Sequence, residues 1–278
     1  MKINITTLSE NTASGMGLLA EWGLSILVEV DGFRVLLDCG QSTTAVQNAA
    51  ALDIDLSSVD KIVISHGHPD HVGGLRHVLK AMRKQVEVIA HPDIWQPRYI
   101  RRPGEDRFRY IGMPFPKEEL EGLGACFKLA DEPLWLTDSI LTTGEIPLRS
   151  DYERIDANLY VLADGGFVPD PLRDDLALVV KSQVGLVVVA GCAHRGIINT
   201  VRWARELAQT EPVRVVVGGT HLIRASEEQT EMTIAELREM GIERLGVSHC
   251  TGFRASMRLA QEFRETFFLN NAGTRVAL

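Results

Sequence analysis

Short apolar runs closed by polar turns dominate the first part of the chain, and similar runs alternate with amphipathic stretches towards its end. "KINITTL", "LSILVEV" and "FRVLLDCG" read as strands, with Asp31-Gly32 as the hairpin turn between the second and third. A helix is expected over 43–52, then a short strand "KIVIS", and "GGLRHVLKAMRK" carries its apolar residues at helical spacing. "VEVIA" is another strand. From about residue 94 to 125 the periodicity lapses among Pro, Gly and Arg, which marks an irregular insertion. Strands resume in "LWLTDSILTTGEI", "NLYVLADGG", "LALVVKS" and "GLVVVAG". The last stretch predicts a helix over 197–209, a strand "VRVVVGG", a helix over 226–240, a strand "RLGVS", a helix over 252–265 and a final "VAL". Ser226 with Gln229 forms a capping box, and Gly241 is the C-terminal stop of the second of these helices.

Each half thus gives strands first and strand-helix alternation afterwards, the pattern of two sheets stacked between helices. The expected fold is α+β, a four-layer αββα sandwich forming one domain over residues 1–278. A hydrophobic share of 45% beside 24% charged residues is enough to fill such a core. The formal charge of −8 argues against general affinity for nucleic acid, which needs a basic face to neutralise phosphates. "MKINITTLSE" has no apolar signal region, and no apolar run approaches the ~20 residues of a membrane helix, so a soluble cytoplasmic protein is expected. Cys39, Cys126, Cys192 and Cys250 show no CxxC pair or disulfide framework, which suits reduced thiols.

The chemistry lies where the runs end. Seven of the eight histidines come just after an apolar strand: His66, His68 and His71 after "KIVIS", then His91, His194, His221 and His249. Ligands of α/β proteins gather outside the carboxyl ends of strands, so these side chains can converge on one edge. A single histidine in such a place is more often a hydrogen-bonded loop residue, but "HGHPDH" packs His66, His68, Asp70 and His71 into one turn. Imidazole and carboxylate at this density suit Zn²⁺, with Fe or Mn also possible. His66 and His68, two apart in an extended loop, can share one ion, leaving Asp70 and His71 for a second.

"SHGHPDHVGGL" matches the HxHxDH signature, and the chain is thereby similar to the metallo-β-lactamase superfamily. "EWGLSILVEV", "VLLDCGQS", "TTGEIP", "DDLALVV", "GCAHRGIINTV", "GGTHL" and "SHCTG" resemble, in order, the branch typified by dihydropterin-ribofuranosyl-aminobenzene-phosphate synthase. The resemblance implies His66, His68 and His194 on one ion and Asp70, His71 and His249 on the other, with Asp38 supporting the histidine loop from outside. The chain departs from the branch at Trp22, where histidine stands in the branch's "EHGLS". Cys192 stands where the wider superfamily has an aspartate bridging the ions, so it is either a thiolate ligand or a buried inert thiol. Cys39 and Cys250 read as core residues.

The other site expectations concern the substrate. His221 is placed for substrate contact or proton transfer, and Asp70 for orienting the nucleophile. "RYIRRPGEDRFR" concentrates Arg98, Arg101, Arg102, Arg107 and Arg109, which can form an anion-binding lid or a solvated loop. Arg101, Arg102 and Glu145 are taken as substrate-binding candidates, and the helix starts after "GCAHRG" and "HCTG" as further places for an anion. The expected function is a hydrolase-like enzyme with two divalent ions, Zn foremost, attacking a small phosphorylated substrate through a metal-bridging hydroxide, with a pterin-related synthase activity as its variant. The competing readings are a di-iron redox or oxygen-handling protein and a non-catalytic ligand-binding module.

Overall fold

In the computed structural model, which describes residues 1–163, 165–210 and 212–278, two seven-stranded sheets face each other. Asp164, inside the run "NLYVLADGG", and Glu211 lie outside the described residues. The first sheet runs, edge to edge, through Arg275–Ala277, Ile3–Ser9, Ser25–Val30, Phe33–Leu37, Lys61–Val63, Val86–Ala90 and Ala125–Leu129. The second runs through Phe267–Leu269, Arg244–Ser248, Val213–Gly219, Gly185–Ala190, Ala177–Ser182, Ile140–Thr142 and Leu134–Trp135. The Asp31-Gly32 turn pairs Val30 with Phe33, and both turn residues have positive φ (48° and 91°), as a tight hairpin of right-handed twist requires.

Strand alternation builds the layers. Ile26, Val28, Val35, Leu37 and Val63 point between the sheets, where they meet Leu178, Val187, Val189, Val215 and Val217. Their sequence neighbours Leu27, Leu36 and Ile62 point the other way, into a second apolar layer shared with the helices Thr44–Ala51 and Leu75–Met82. Val188, Val216 and Leu245 do the same beneath Ile197–Ala208 and Glu227–Glu239. Three apolar layers thus separate helices, sheet, sheet and helices, which is the αββα sandwich expected from the sequence. Half of the expected capping box is present: Ser226 Oγ accepts from the Gln229 N–H at 3.1 Å.

The insertion is more ordered than its composition suggests. Arg98–Ile100 and Arg109–Tyr110 join Leu159–Ala163 and Gly166–Pro169 in a third sheet of four strands, and Lys117–Gly122 is a short helix. Strands of two or three residues are too short to show a period, and aromatic contacts do much of the work of holding them. The Phe108 and Phe167 rings stack at 3.6 Å, and Tyr99 meets both Tyr110 and Phe167 edge-on. Among the described residues no helix is long and apolar enough to cross a membrane.

Two sets of parallel strands decide where chemistry can occur. In the first sheet Phe33–Leu37, Lys61–Val63 and Val86–Ala90 are parallel, and in the second so are Gly185–Ala190, Val213–Gly219 and Arg244–Ser248. Their carboxyl ends deliver Asp38, His66, Cys192, His194, His221 and His249 to one edge of the sandwich.

Candidate metal centre

The histidine loop is shaped by what packs behind it. After Lys61–Val63 the chain leaves the strand, bends at Gly67 and is extended at His68, and Pro69 then opens the short helix Pro69–Val72, which carries Asp70 and His71. Gly67 lies so close to neighbouring chain that an added Cβ would meet Ile94 O at 2.6 Å and Arg98 Nη1 at 2.8 Å. Asp38, at φ 59°, accepts from Ser65 N–H (2.7 Å), Ser65 Oγ (2.7 Å) and His71 Nδ1 (2.6 Å). Ser65 Oγ also lies 2.9 Å from His66 Nδ1. With its proton given to Asp38, that hydroxyl receives the Nδ1 proton of His66. Asp38 thereby fixes both imidazoles with Nε2 inward.

Inside, the ring nitrogens converge. His66 Nε2 lies 3.0 Å from His68 Nδ1 and 3.2 Å from His194 Nε2. His71 Nε2 is 3.1 Å from Cys192 Sγ, and His249 Nε2 is 3.1 Å from Asp70 Oδ2. His249 is held from behind by Asn11 Oδ1, 2.9 Å from Nδ1. The donor atoms of His66, Cys192 and His194 all lie within 4.8 Å of one another, and so do those of His71, Cys192 and His249. Nε2 atoms aimed at each other, with protonated nitrogens turned outward, form a poor hydrogen-bond network and a good cation cage. The buried, unpartnered His68 Nε2 adds to the same mismatch. The residues therefore fit a metal ion, and the sulfur of Cys192 belongs to both donor groups.

For His66, His68 and His194 the electrostatics agree. Burial, reinforced by the neighbouring imidazoles, holds His66 and His194 well below the usual histidine range, and burial lowers His68 to about 3. These rings are neutral and keep their lone pairs. Burial opposes charge on His71, but Asp38 outweighs it and raises the pKa to about 9. Burial likewise works against the Asp70 carboxylate, yet contact with His249 and the charge of His71 hold it well below its ordinary value.

Above these residues opens a cleft of about 480 Å³. His68, Asp70, Cys192, His194 and His249 line its floor, and Trp22, Ile100, Ile111, Leu159 and Ile223 its apolar side. Trp22 stacks obliquely on His249 at 5.1 Å, at the rim where the resemblance had placed a histidine. Arg102 and Arg224 bring positive charge, and Asp156 pairs with Arg224 at 3.6 Å. Cys250, expected as a packing residue, lines the cleft beside His221.

Several substrate-binding expectations are not met by this geometry. Arg101 lies over the rings of Phe108 and Tyr160 and is absent from the cleft lining, because the aromatic cluster of the third sheet claims its guanidinium. Glu145 faces His91 Nε2 at 3.3 Å and does not line the cleft either. Arg98 is no lid residue: it is fully buried between Asp170 and Asp174. The helix start after "GCAHRG" already holds a carboxylate of the chain, since Glu153 accepts from the N–H groups of Ile198 and Asn199, both at 2.9 Å. Burial raises the pKa of Glu153 to about 7.

Other positioning residues escaped the sequence reading. Asp174 accepts from Gly67 N–H at 2.8 Å, and Asp175 accepts from Arg195 N–H at 2.8 Å, so "DD" pins both the "HGH" loop and the His194 loop. Glu10 accepts from His249 N–H at 2.7 Å. The paired carboxylates ahead of "LALVV" were the available signal for the first two. Gly191 is demanded by the same machinery, as a Cβ there would come within 2.1 Å of Ser65 Oγ.

The sandwich with a histidine-rich centre at one edge defines a class, and the chain belongs to the metallo-β-lactamase superfamily, whose family model matches residues 23–249. It is 34% identical over 98% of its length to the 7,8-dihydropterin-6-methyl-4-(beta-D-ribofuranosyl)-aminobenzene-5'-phosphate synthase of Methanocaldococcus jannaschii, of which the match covers 95%. Among solved structures it is similar to Tm1679, a metal-dependent hydrolase of the beta-lactamase superfamily, with 30% identity, a TM-score of 0.84, and 99% of this chain and 98% of that one covered. The short form of human tRNase Z shares the fold at 14% identity and a TM-score of 0.56, with 98% of each chain covered.

Asp38 offers a direct check on the arrangement. Asp38→Asn keeps the shape but cannot accept from all three donors as a carboxylate does. It is expected to weaken metal binding by about 10–100-fold, the usual effect of losing a partner of a ligating histidine. Competition titration against a chelating dye measures this, and unchanged affinity would contradict the role assigned to Asp38.

Proposed function

We propose that the protein is a two-metal enzyme acting on a small anionic, phosphorylated substrate. The observation that carries this reading is the pair of buried donor groups meeting at the Cys192 sulfur on the floor of an open cleft. His66, His68 and His194 would hold one ion, Asp70, His71 and His249 the other, with Cys192 between them. Imidazole, carboxylate and thiolate together suit Zn²⁺ first, and Fe next. Ions bound there would supply Lewis-acid charge and make water nucleophilic near neutral pH.

The remaining work falls to the chain. Asp70 has one carboxylate oxygen against His249, and the other is the acceptor that would orient an attacking water and take its proton. Arg102 and Arg224 would grip the anionic group, and the apolar side with Trp22 would receive a flat, less polar part of the substrate. The synthase similarity over nearly the whole chain favours a second reading, in which this cleft joins a pterin to a ribosyl-aminobenzene phosphate and the nucleophile comes from the second substrate.

The test is an activity screen on metal-reconstituted protein over phosphodiesters, phosphomonoesters, lactones, thioesters and pterin precursors, with metal analysis of protein purified without added metal. Turnover of a phosphorylated compound with two ions per chain is expected. Turnover confined to pterin precursors would select the second reading. Two redox-active irons with no turnover would turn the assignment to electron or oxygen chemistry, and a complete blank with ligand binding would turn it to a binding module.

A further inference from the structure

Three neighbouring parallel strands of the second sheet each end in one soft or borderline donor. Gly185–Ala190 leads to Cys192, Val213–Gly219 to His221, and Arg244–Ser248 to Cys250. The two sulfur atoms and an imidazole nitrogen lie within 4.8 Å of one another. The ring of His221 is half-buried, and both of its nitrogens are shielded from solvent with no oxygen or nitrogen partner, facing only the sulfur of Cys250. Sulfur is a weak hydrogen-bond partner, so shielded imidazole nitrogens left to it are better satisfied by a cation.

The backbone is bent to make this meeting possible. Ala193, His221 and His249 all take the left-handed conformation, with φ of 53°, 51° and 55°, which side chains other than glycine rarely adopt. Gly219 has no room for a side chain, because a Cβ would stand 2.6 Å from Cys250 Sγ and 3.1 Å from Cys192 Cα. All three donors also line the cleft, so an ion has a path to them.

We propose that Cys192, His221 and Cys250 form a third, sulfur-rich site that takes a thiophilic ion of the Zn²⁺ class, next to the histidine centre. Two sulfurs and one imidazole discriminate against Mg²⁺ and Mn²⁺, which prefer oxygen, and leave a fourth tetrahedral position open to the cleft. The inference rests on the reading above only for the shared sulfur of Cys192, since His221 and Cys250 belong to neither histidine group. It gives His221 a ligand's role in place of the proton transfer expected from its sequence position.

The test uses the full chain, reduced and stripped of metal, titrated with Cd²⁺ alone. Thiolate-to-cadmium charge-transfer absorption counts the sulfurs, and equilibrium dialysis counts the ions. The expected result is that Cys250→Ser removes about half of the absorption and one ion per chain, and that His221→Ala weakens the same component at least about 10-fold. Thermal unfolding of each variant confirms that it is folded, and if one is not, the other still decides. Full absorption and full ion count in both folded variants would overturn the proposal. His66→Ala reports separately: loss of an ion that Cys250→Ser leaves bound supports the histidine centre, whereas unchanged binding in that variant would count against the two-metal reading and leave the sulfur site standing.

Discussion

Asp70→Asn leaves the protein folded and removes its turnover. Asp70 sits on the short helix Pro69–Val72, its side chain 17% exposed towards the cleft, with Oδ2 3.1 Å from His249 Nε2. Asparagine has almost the same shape, so packing is kept. It lacks the negative charge, and one oxygen becomes a donor amide, which can neither ligate a cation well nor take a proton from water. An outer partner of a metal ligand is worth about 10–100-fold, so losing a group that is both donor and proton acceptor should cost more than about 100-fold in kcat. Steady-state kinetics on the substrate found by screening, with metal content measured alongside, gives the answer. Full activity in the variant would remove Asp70 from the mechanism.

The centre was legible from sequence to the extent that its donors are scarce residue types at short spacing. His66, His68, Asp70 and His71 announce themselves within one turn, and His194 and His249 stand out because each follows a buried strand. The alternation of apolar residues likewise revealed both sheets. The orientation of Cys192 was not legible. It depends on the left-handed turn at Ala193 and on a close approach to His71, and neither has a local signal. Glu10 and Glu153 were hidden, and the anchoring role of the visible pair Asp174 and Asp175 with them, for a related reason: their partners are backbone N–H groups far along the chain, or in other loops. A carboxylate that satisfies a remote amide looks, in sequence, like any surface acid. Of the third sheet only the strand within "NLYVLADGG" was read, because its partners are short and their aromatic contacts follow no period.

Arg98 shows how misleading composition can be, and its removal should be the most destabilising of the substitutions considered. In sequence it joins four other arginines and suggests a solvated or anion-binding loop. In the structure it is the largest fully buried side chain, with Nε donating to Asp170 at 3.0 Å, Nη1 donating to Asp93 O at 3.2 Å, and Nη2 paired with Asp174 at 2.6 Å. Burial raises the pKa of Asp174 to about 6 even though the guanidinium opposes the shift, so without Arg98 this carboxyl would rise further or stay charged and unpaired. Arg98→Ala leaves two buried acids without their partner, a loss of about 3–5 kcal/mol. Because Asp174 also holds the Gly67 N–H, the damage passes to the "HGH" loop, and metal affinity should fall together with stability. Urea unfolding measures the first effect and metal titration the second. Adding Asp174→Asn to Arg98→Ala should recover part of the stability, since the amide removes a buried charge while its oxygen still accepts from Gly67. A single variant within about 1 kcal/mol of the parent protein would show that solvent reaches the two acids and that the buried pair does not organise the loop.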